Sequence, residues 1–198
     1  MLRWDNPFMA LLRGILNYVL LSLLWILFCI PLLTIGASTS ALYHTTRKFL
    51  LGEEGYLFST FWEGFRKNFK QSTILWIILA AAGILIWQDI RIMRVISDAT
   101  WSYVLQYAHY LIAFFLISVF LYGIPQIVRF NNNLRQIIKN SALMSIRHLF
   151  STIFVMVLLV GGAIVVWLLP ILLITMPALL MAFWSRRLEK LFSKYIDS

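Results

Sequence analysis

The side chains best suited to shuttling protons or holding a metal are three histidines, one cysteine and eight carboxylates. Their spacing assembles no centre. Glu53 and Glu54 are adjacent, but neighbouring residues of a helix point about 100° apart and do not converge on one proton. They read instead as negative charge placed before a helix start, where it is favourable. His109, within Gln-Tyr-Ala-His-Tyr, and His44 each fall near one end of an apolar run, as interfacial histidines. Cys29 stands alone inside such a run, so it makes no internal disulfide, no CxxC pair and no tetrahedral zinc site. Asp89 and Asp98 flank Arg91 and Arg94 in what reads as a solvated, nearly neutral turn. HExxH, GxSxG, Walker A and GxGxxG do not occur, so zinc proteolysis, serine hydrolysis and nucleotide binding lack their usual signals. The sequence therefore predicts a non-catalytic chain with neither cofactor nor metal.

The elements that would position these groups are apolar helices. Hydrophobic residues make up 61% of the 198 and charged residues 13%, against roughly 45–50% and 25% in soluble domains. A soluble fold of this size has too little interior to bury that surface, so the excess must face lipid. The net charge of +9 could indicate nucleic acid, but that footprint needs basic residues gathered on a water-facing domain. Here they lie between hydrophobic runs, and nucleic acid is excluded as a partner. The beginning of the chain has the outline of a secretory signal, with Arg3, Arg13, an apolar stretch and then Gly36-Ala37-Ser38. Further apolar segments follow, which favours a retained first span. Residues 1–198 read as a single transmembrane domain.

Four windows lack Asp, Glu, Lys and Arg: 14–46, 71–88, 99–128 and 148–185. The second and third suit one crossing each, at about 20 residues per span. Straight helices over the first and fourth would reach roughly 50 and 57 Å across a hydrocarbon layer of about 30 Å. Each carries a proline near its middle, Pro31 and Pro170, where a helix kinks or stops. The segments beyond the prolines align loosely, Thr34 with Thr175 and Gly36 with Pro177, as two similar helical hairpins would.

Basic residues choose among topologies, because Lys and Arg of short loops stay cytoplasmic. With both long windows folded back, six spans place 15 basic residues inside and 2 outside; five spans give 13 and 4, and four give 9 and 8. The expected fold is an all-α polytopic bundle of about six hydrophobic helices in the cell membrane, both termini cytoplasmic, with five spans as the alternative. The return legs 32–46 and 171–185 are short, so re-entrant legs stay open. Two amphipathic helices are expected at the cytoplasmic interface. In 57–70, Leu57, Phe58, Phe61, Trp62, Phe65 and Phe69 share one face; in 129–147, Phe130, Leu134, Ile137, Ile138 and Ala142 do. Trp76, Trp87, Trp101 and Trp184 sit near span ends, as interfacial tryptophans do. Gly52 ends the helix before the first amphipathic segment.

The helix breaks hold the polar and small residues most able to shape a solute path: Pro31, Thr34, Gly36, Pro170, Thr175 and Pro177. Packing of helices through small residues is the competing use, and the one preferred for Gly36-Ala37-Ser38.

Several strings resemble the YesL-like family, multi-pass membrane proteins of Gram-positive bacteria. They are Asn6-Pro7-Phe8, Pro31-Leu-Leu-Thr-Ile-Gly-Ala-Ser-Thr39 with Ala41-Leu42-Tyr43, Glu53-Glu54-Gly55-Tyr56 and Phe65-Arg-Lys-Asn-Phe-Lys-Gln71. Arg129-Phe130-Asn131, Lys139-Asn140 and His148 follow, the last hydrophobic window departing most. Among these carriers, Glu53, Glu54, Phe65, Asn68, Arg129, Asn131 and Asn140 are the candidate cytoplasmic contact residues. The resemblance implies a role beside carbohydrate ABC importers and carries over no catalytic residue. The partners it leaves in view are the bilayer, importer permease subunits and a second copy of the chain. Glu53-Glu54-Gly55 with Gly64 only faintly echoes a permease's own coupling loop, so the chain reads as an accessory component. The alternative is a stand-alone facilitator for a small neutral solute.

Overall fold

The structure, a computed structural model, describes residues 7–52, 55–96, 99–130 and 132–196, with side chains over 12–52, 55–92, 104–130 and 132–192. Among these every regular element is a helix. Seven helices follow in order: α1 (Pro7–Cys29), α2 (Ile35–Leu50), α3 (Leu57–Ile96), α4 (Ala99–Arg129), α5 (Leu134–Arg147), α6 (Leu149–Leu168) and α7 (Met176–Ile196). Short 3-10 turns at Leu32–Thr34 and Pro170–Ile174 break the two long apolar windows where the prolines stand. Four helices are long and apolar enough to cross a membrane, those holding Leu12–Cys29, Leu57–Ile92, Val104–Arg129 and Leu149–Leu168. Large apolar side chains stand exposed along them, Leu27, Leu85, Leu111 and Val157 among them, a surface that water would penalise and hydrocarbon solvates. The chain is a helical membrane protein.

The return legs depart from the expected pattern. They form α2 and α7, which are not among the long apolar helices. The reason lies in what surrounds them. α2 is buried from Gly36 to Thr46 and packs against α1, α3, α4 and α7. Its serines and threonines therefore face protein rather than lipid. Most return their hydroxyls to their own helix, as Thr45 Oγ1 to the Ala41 carbonyl at 2.9 Å and Thr46 Oγ1 to that of Leu42 at 2.7 Å. Gly52 closes the segment with φ +74°, its N–H reaching the Phe49 carbonyl at 3.1 Å, a left-handed position that costs glycine nothing.

The first amphipathic segment is not a separate interfacial helix. Residues 57–70 are the first four turns of α3, which runs unbroken for 40 residues. Phe61 and Phe65 turn inward against Phe28, at ring separations of 5.4 and 5.0 Å, while Phe58, Trp62 and Phe69 stay exposed. Nothing in the sequence between Phe69 and Ile74 breaks the hydrogen-bond ladder, so the helix continues. The second segment does form its own helix, α5. Its Leu134, Ile137, Ile138 and Ala142 join Leu75, Val119, Ile124 and Ile127 in a core with α3 and α4, so this face too meets protein.

An interior proline, Pro125, lies within α4. It leaves the carbonyl of Leu121 without its i+4 donor. Trp184 of α7 fills the gap, donating from Nε1 to that oxygen at 3.3 Å, with its ring edge-on to Tyr122 at 5.4 Å. Trp184 is 5% exposed; burial and this bond replace the interfacial position expected of it. Trp76 also serves an interhelical bond, reaching the Leu32 carbonyl at 2.8 Å. Trp87 is exposed under Arg91, and the Trp101 side chain, like Asp98, lies outside the described residues. Trp184→Phe keeps the ring but orphans a carbonyl in a water-poor interior, at about 1–2 kcal/mol. Thermal unfolding in detergent should show a lowered midpoint; an unchanged one would mean Leu121 finds another donor.

Candidate functional site

Polar groups concentrate around α2 and at the end of the bundle where α2, α4, α5 and α7 meet. α2 and α3 run antiparallel in a seam of small and polar residues at four-residue spacing. Gly36 lies against Ser72, where a Cβ would come within 2.2 Å of the Ser72 carbonyl oxygen, and a Cβ on Gly64 would stand 2.9 Å from the His44 ring. Buried Ser40 and Asn68 fall between these two crossings by the same spacing. Side chains every four residues share a helical face, so the seam lets two backbones approach as closely as small residues permit. Asn68 Nδ2 donates to the Gly64 carbonyl at 2.9 Å. Phe65 and Asn68, candidates for a cytoplasmic contact, are thus buried in the bundle.

One carboxylate organises the polar end. Glu189 of α7 accepts from Arg129 Nη1 of α4 at 2.6 Å, and from Arg47 Nε of α2 at 3.1 Å and the Tyr43 hydroxyl at 3.0 Å. The arrangement joins three helices that lie far apart in sequence. Charge-assisted bonds of this length are the stronger class. The Arg129 guanidinium also lies over Phe130 and Phe192, 5.7 and 5.2 Å from their centroids. Sequence reasoning singled out Arg129 but missed Glu189. The available signal was a lone acid among Arg186, Arg187 and Lys190, a composition that puts a carboxylate within reach of several cations without saying which it takes. On the flank, Lys48 Nζ meets Glu63 at 3.1 Å, with His44 Nε2 4.0 Å from the same carboxylate. At the far ends of α3 and α4, His109 Nε2 meets Asp89 at 2.8 Å.

Beside the Glu189 cluster a cleft of about 370 Å³ opens between α4, α5 and α7, bordered by Gln126, Asn132, Asn140, Met144, Arg147 and Phe192. Gln126 is committed inward, to Ser141 Oγ at 3.1 Å. Asn140 borders the cleft and is half-buried. Glu53, Glu54 and Asn131 lie outside the described residues.

The helix-break residues divide between the two 3-10 turns. Thr34 turns its hydroxyl onto the Phe28 and Pro31 carbonyls, at 2.6 and 2.7 Å, and Thr175 onto that of Leu172 at 3.3 Å. Pro170 opens the second turn and Pro177 the first turn of α7, while Ser22 Oγ of α1 accepts from the Ala178 N–H at 3.1 Å. These hydroxyls are occupied by backbone groups that the breaks leave free. A second cavity, of about 490 Å³, borders Pro177 together with Thr39, Phe120, Gly162 and Trp184. Its walls are overwhelmingly apolar, which suits hydrocarbon and leaves sugar hydroxyls without partners. Among the described residues no group of three His, Cys, Asp or Glu could hold a metal ion.

Residues 18–90 match the model of a family described as protein of unknown function, DUF624. That stretch holds the second half of α1, the first 3-10 turn, α2 and the α2–α3 seam. The chain is similar to the Uncharacterized protein YteU of Bacillus subtilis (strain 168), with 28% identity over 153 residues, 74% of this chain and 67% of that protein. One match is a family of unknown function and the other an uncharacterised protein, and neither names the YesL-like family. No solved structure matches the chain.

Proposed function

We propose that this chain is a non-catalytic accessory subunit in carbohydrate uptake, docking onto an ABC importer permease from the cytoplasmic side of the cell membrane. The observation that carries this reading is the open cleft beside Asn140 and Arg147, at the end of the bundle where Arg47, Arg129, Glu189 and Arg187 collect. Most buried hydroxyls bond carbonyls of their own helix and a few join helix to helix, which leaves the cleft as the polar feature open to a partner. The family resemblance supplies the identity of that partner.

The basic-residue count supports a cytoplasmic position for this end and both termini. Trp76, which bonds the tip of the first hairpin, comes only about 9 Å of helix rise after Lys70, while α3 runs on for about 30 Å more. In this reading α3 and α4 cross completely, and the first hairpin enters and returns from the cytoplasmic side. The short leg 32–46 is then long enough, and the count of basic residues inside is unchanged.

Extraction from native membranes in mild detergent should recover a permease subunit with the wild-type chain. Asn140→Trp, which fills the cleft, should lower that recovery at least fivefold without changing the elution of the chain itself. Repeated recovery of the wild type with no permease would refute the assignment.

A further inference from the structure

The apolar cavity near Pro177 lies beside the route by which α6 leaves the bundle. α6 is attached chiefly along the second 3-10 turn and α7. The cavity opens between α4, α6 and α7, where Ile117, Ala163 and Phe183 are exposed. Its depth is set by Gly162, whose missing side chain leaves room for Leu180; a Cβ there would stand 2.8 Å from Leu180 Cδ1. Along α6 the lining runs from Val155 to Val166, about 16 Å of helix rise. That is close to half of a 30 Å hydrocarbon layer, the depth of a single leaflet.

One turn past Phe183, at the charged end of this groove, stands Arg187. Its guanidinium lies over Phe154 of α6 at 4.7 Å and over Phe183 at 5.5 Å. It pairs with no carboxylate among the described residues. Stacking uses the faces of the guanidinium and leaves its in-plane N–H donors available, the geometry in which arginine takes a phosphate.

From these two features we infer that the α4–α6–α7 groove holds one acyl chain of an anionic phospholipid, with the lipid phosphate on Arg187. The inference rests on the bundle's place in a membrane and is independent of any importer partner. The apolar walls give affinity for the chain, and the arginine at the mouth gives preference for the charged headgroup. Lys or Arg at the bilayer surface favours anionic over zwitterionic lipid by roughly fivefold per residue.

Delipidated protein, titrated with phosphatidylglycerol or phosphatidylcholine of the same chain length and read by native mass spectrometry, tests it. The wild type should retain the first phosphatidylglycerol about fivefold more tightly than phosphatidylcholine. Arg187→Ala should abolish that difference, while Arg66→Ala, the same charge change on α3, leaves it intact. Ala163→Trp, which fills the open side of the groove, should weaken both lipids together. Equal retention of the two lipids by the wild type, or an Arg66→Ala loss as large as that of Arg187→Ala, overturns the proposal. So does an Ala163→Trp protein that elutes as the wild type and still binds both. Should Ala163→Trp fail to fold, the comparison of Arg187 with Arg66 decides alone.

Discussion

Gly36→Ala lowers the stability of the bundle by about 3 kcal/mol, the upper part of the usual range for overpacking. The reason is what the new methyl group would meet. At 2.2 Å it would overlap the Ser72 carbonyl oxygen, and at 2.8 Å the Trp76 Cβ. The first is main chain in the middle of α3 and cannot swing aside as a side-chain tip could. The helices must separate, and separation withdraws Ser40 and Asn68 from each other's neighbourhood and loosens Trp76 from Leu32. Gly83 is the control. A Cβ there meets nothing within 4 Å, and alanine is the better helix former by about 1 kcal/mol, so Gly83→Ala should hold or raise the unfolding midpoint. Thermal denaturation of both variants in one detergent distinguishes them. Equal shifts would show that the seam is looser than the geometry described.

The second large effect belongs to Glu189→Gln. The amide keeps the shape and can still accept from Tyr43, but it removes the negative charge between Arg47 and Arg129. Exposed ion pairs contribute about 0–1 kcal/mol and fully buried ones lose 3–5 when one partner goes. The side chains here are 14–30% exposed, which places the expected loss near 2 kcal/mol. Part of that is repulsion between two arginines held close together, so Arg129→Leu in the same background should recover some of it. A coupling of about 1 kcal/mol or more is expected from the double-mutant cycle. Strict additivity would show that the bonds drawn to Glu189 contribute little.

Much of the architecture was legible because it follows from lengths. A charge-free run too long for one span, with a proline near its middle, has to break, and turns occur at Leu32–Thr34 and Pro170–Ile174. The Gly52 terminus was legible for a similar reason, since a glycine after Arg47 and Lys48 fits a left-handed helix end. The continuity of α3 was not. Aromatics on one face and cations on the other describe a helix lying on a bilayer and equally a helix packed on a neighbour. Only Phe28 and α2, distant in sequence, decide for the second. Trp184 illustrates the same limit: proximity to a span end described it adequately until Pro125, sixty residues earlier, supplied a carbonyl lacking a donor. The Glu189 cluster depended on three helices converging, and no local pattern encodes that.

The polar character of α2 bears on how the molecule is made. A segment with Ser38, Thr39, Ser40, His44, Thr45 and Thr46 along its sides gains little by partitioning alone into oil, where unsheathed hydroxyls are unwelcome. Yet of the helices that shelter it only α1 leaves the ribosome earlier; α3 and α4 follow, and α7 comes last of all. Synthesis must therefore pass through a stage in which this strand of the nascent chain waits at the translocon or at the interface, its lodging still unbuilt. A transcript truncated ahead of residue 189 would yield a polypeptide stuck at that stage, and quality-control proteases would be the first to read it.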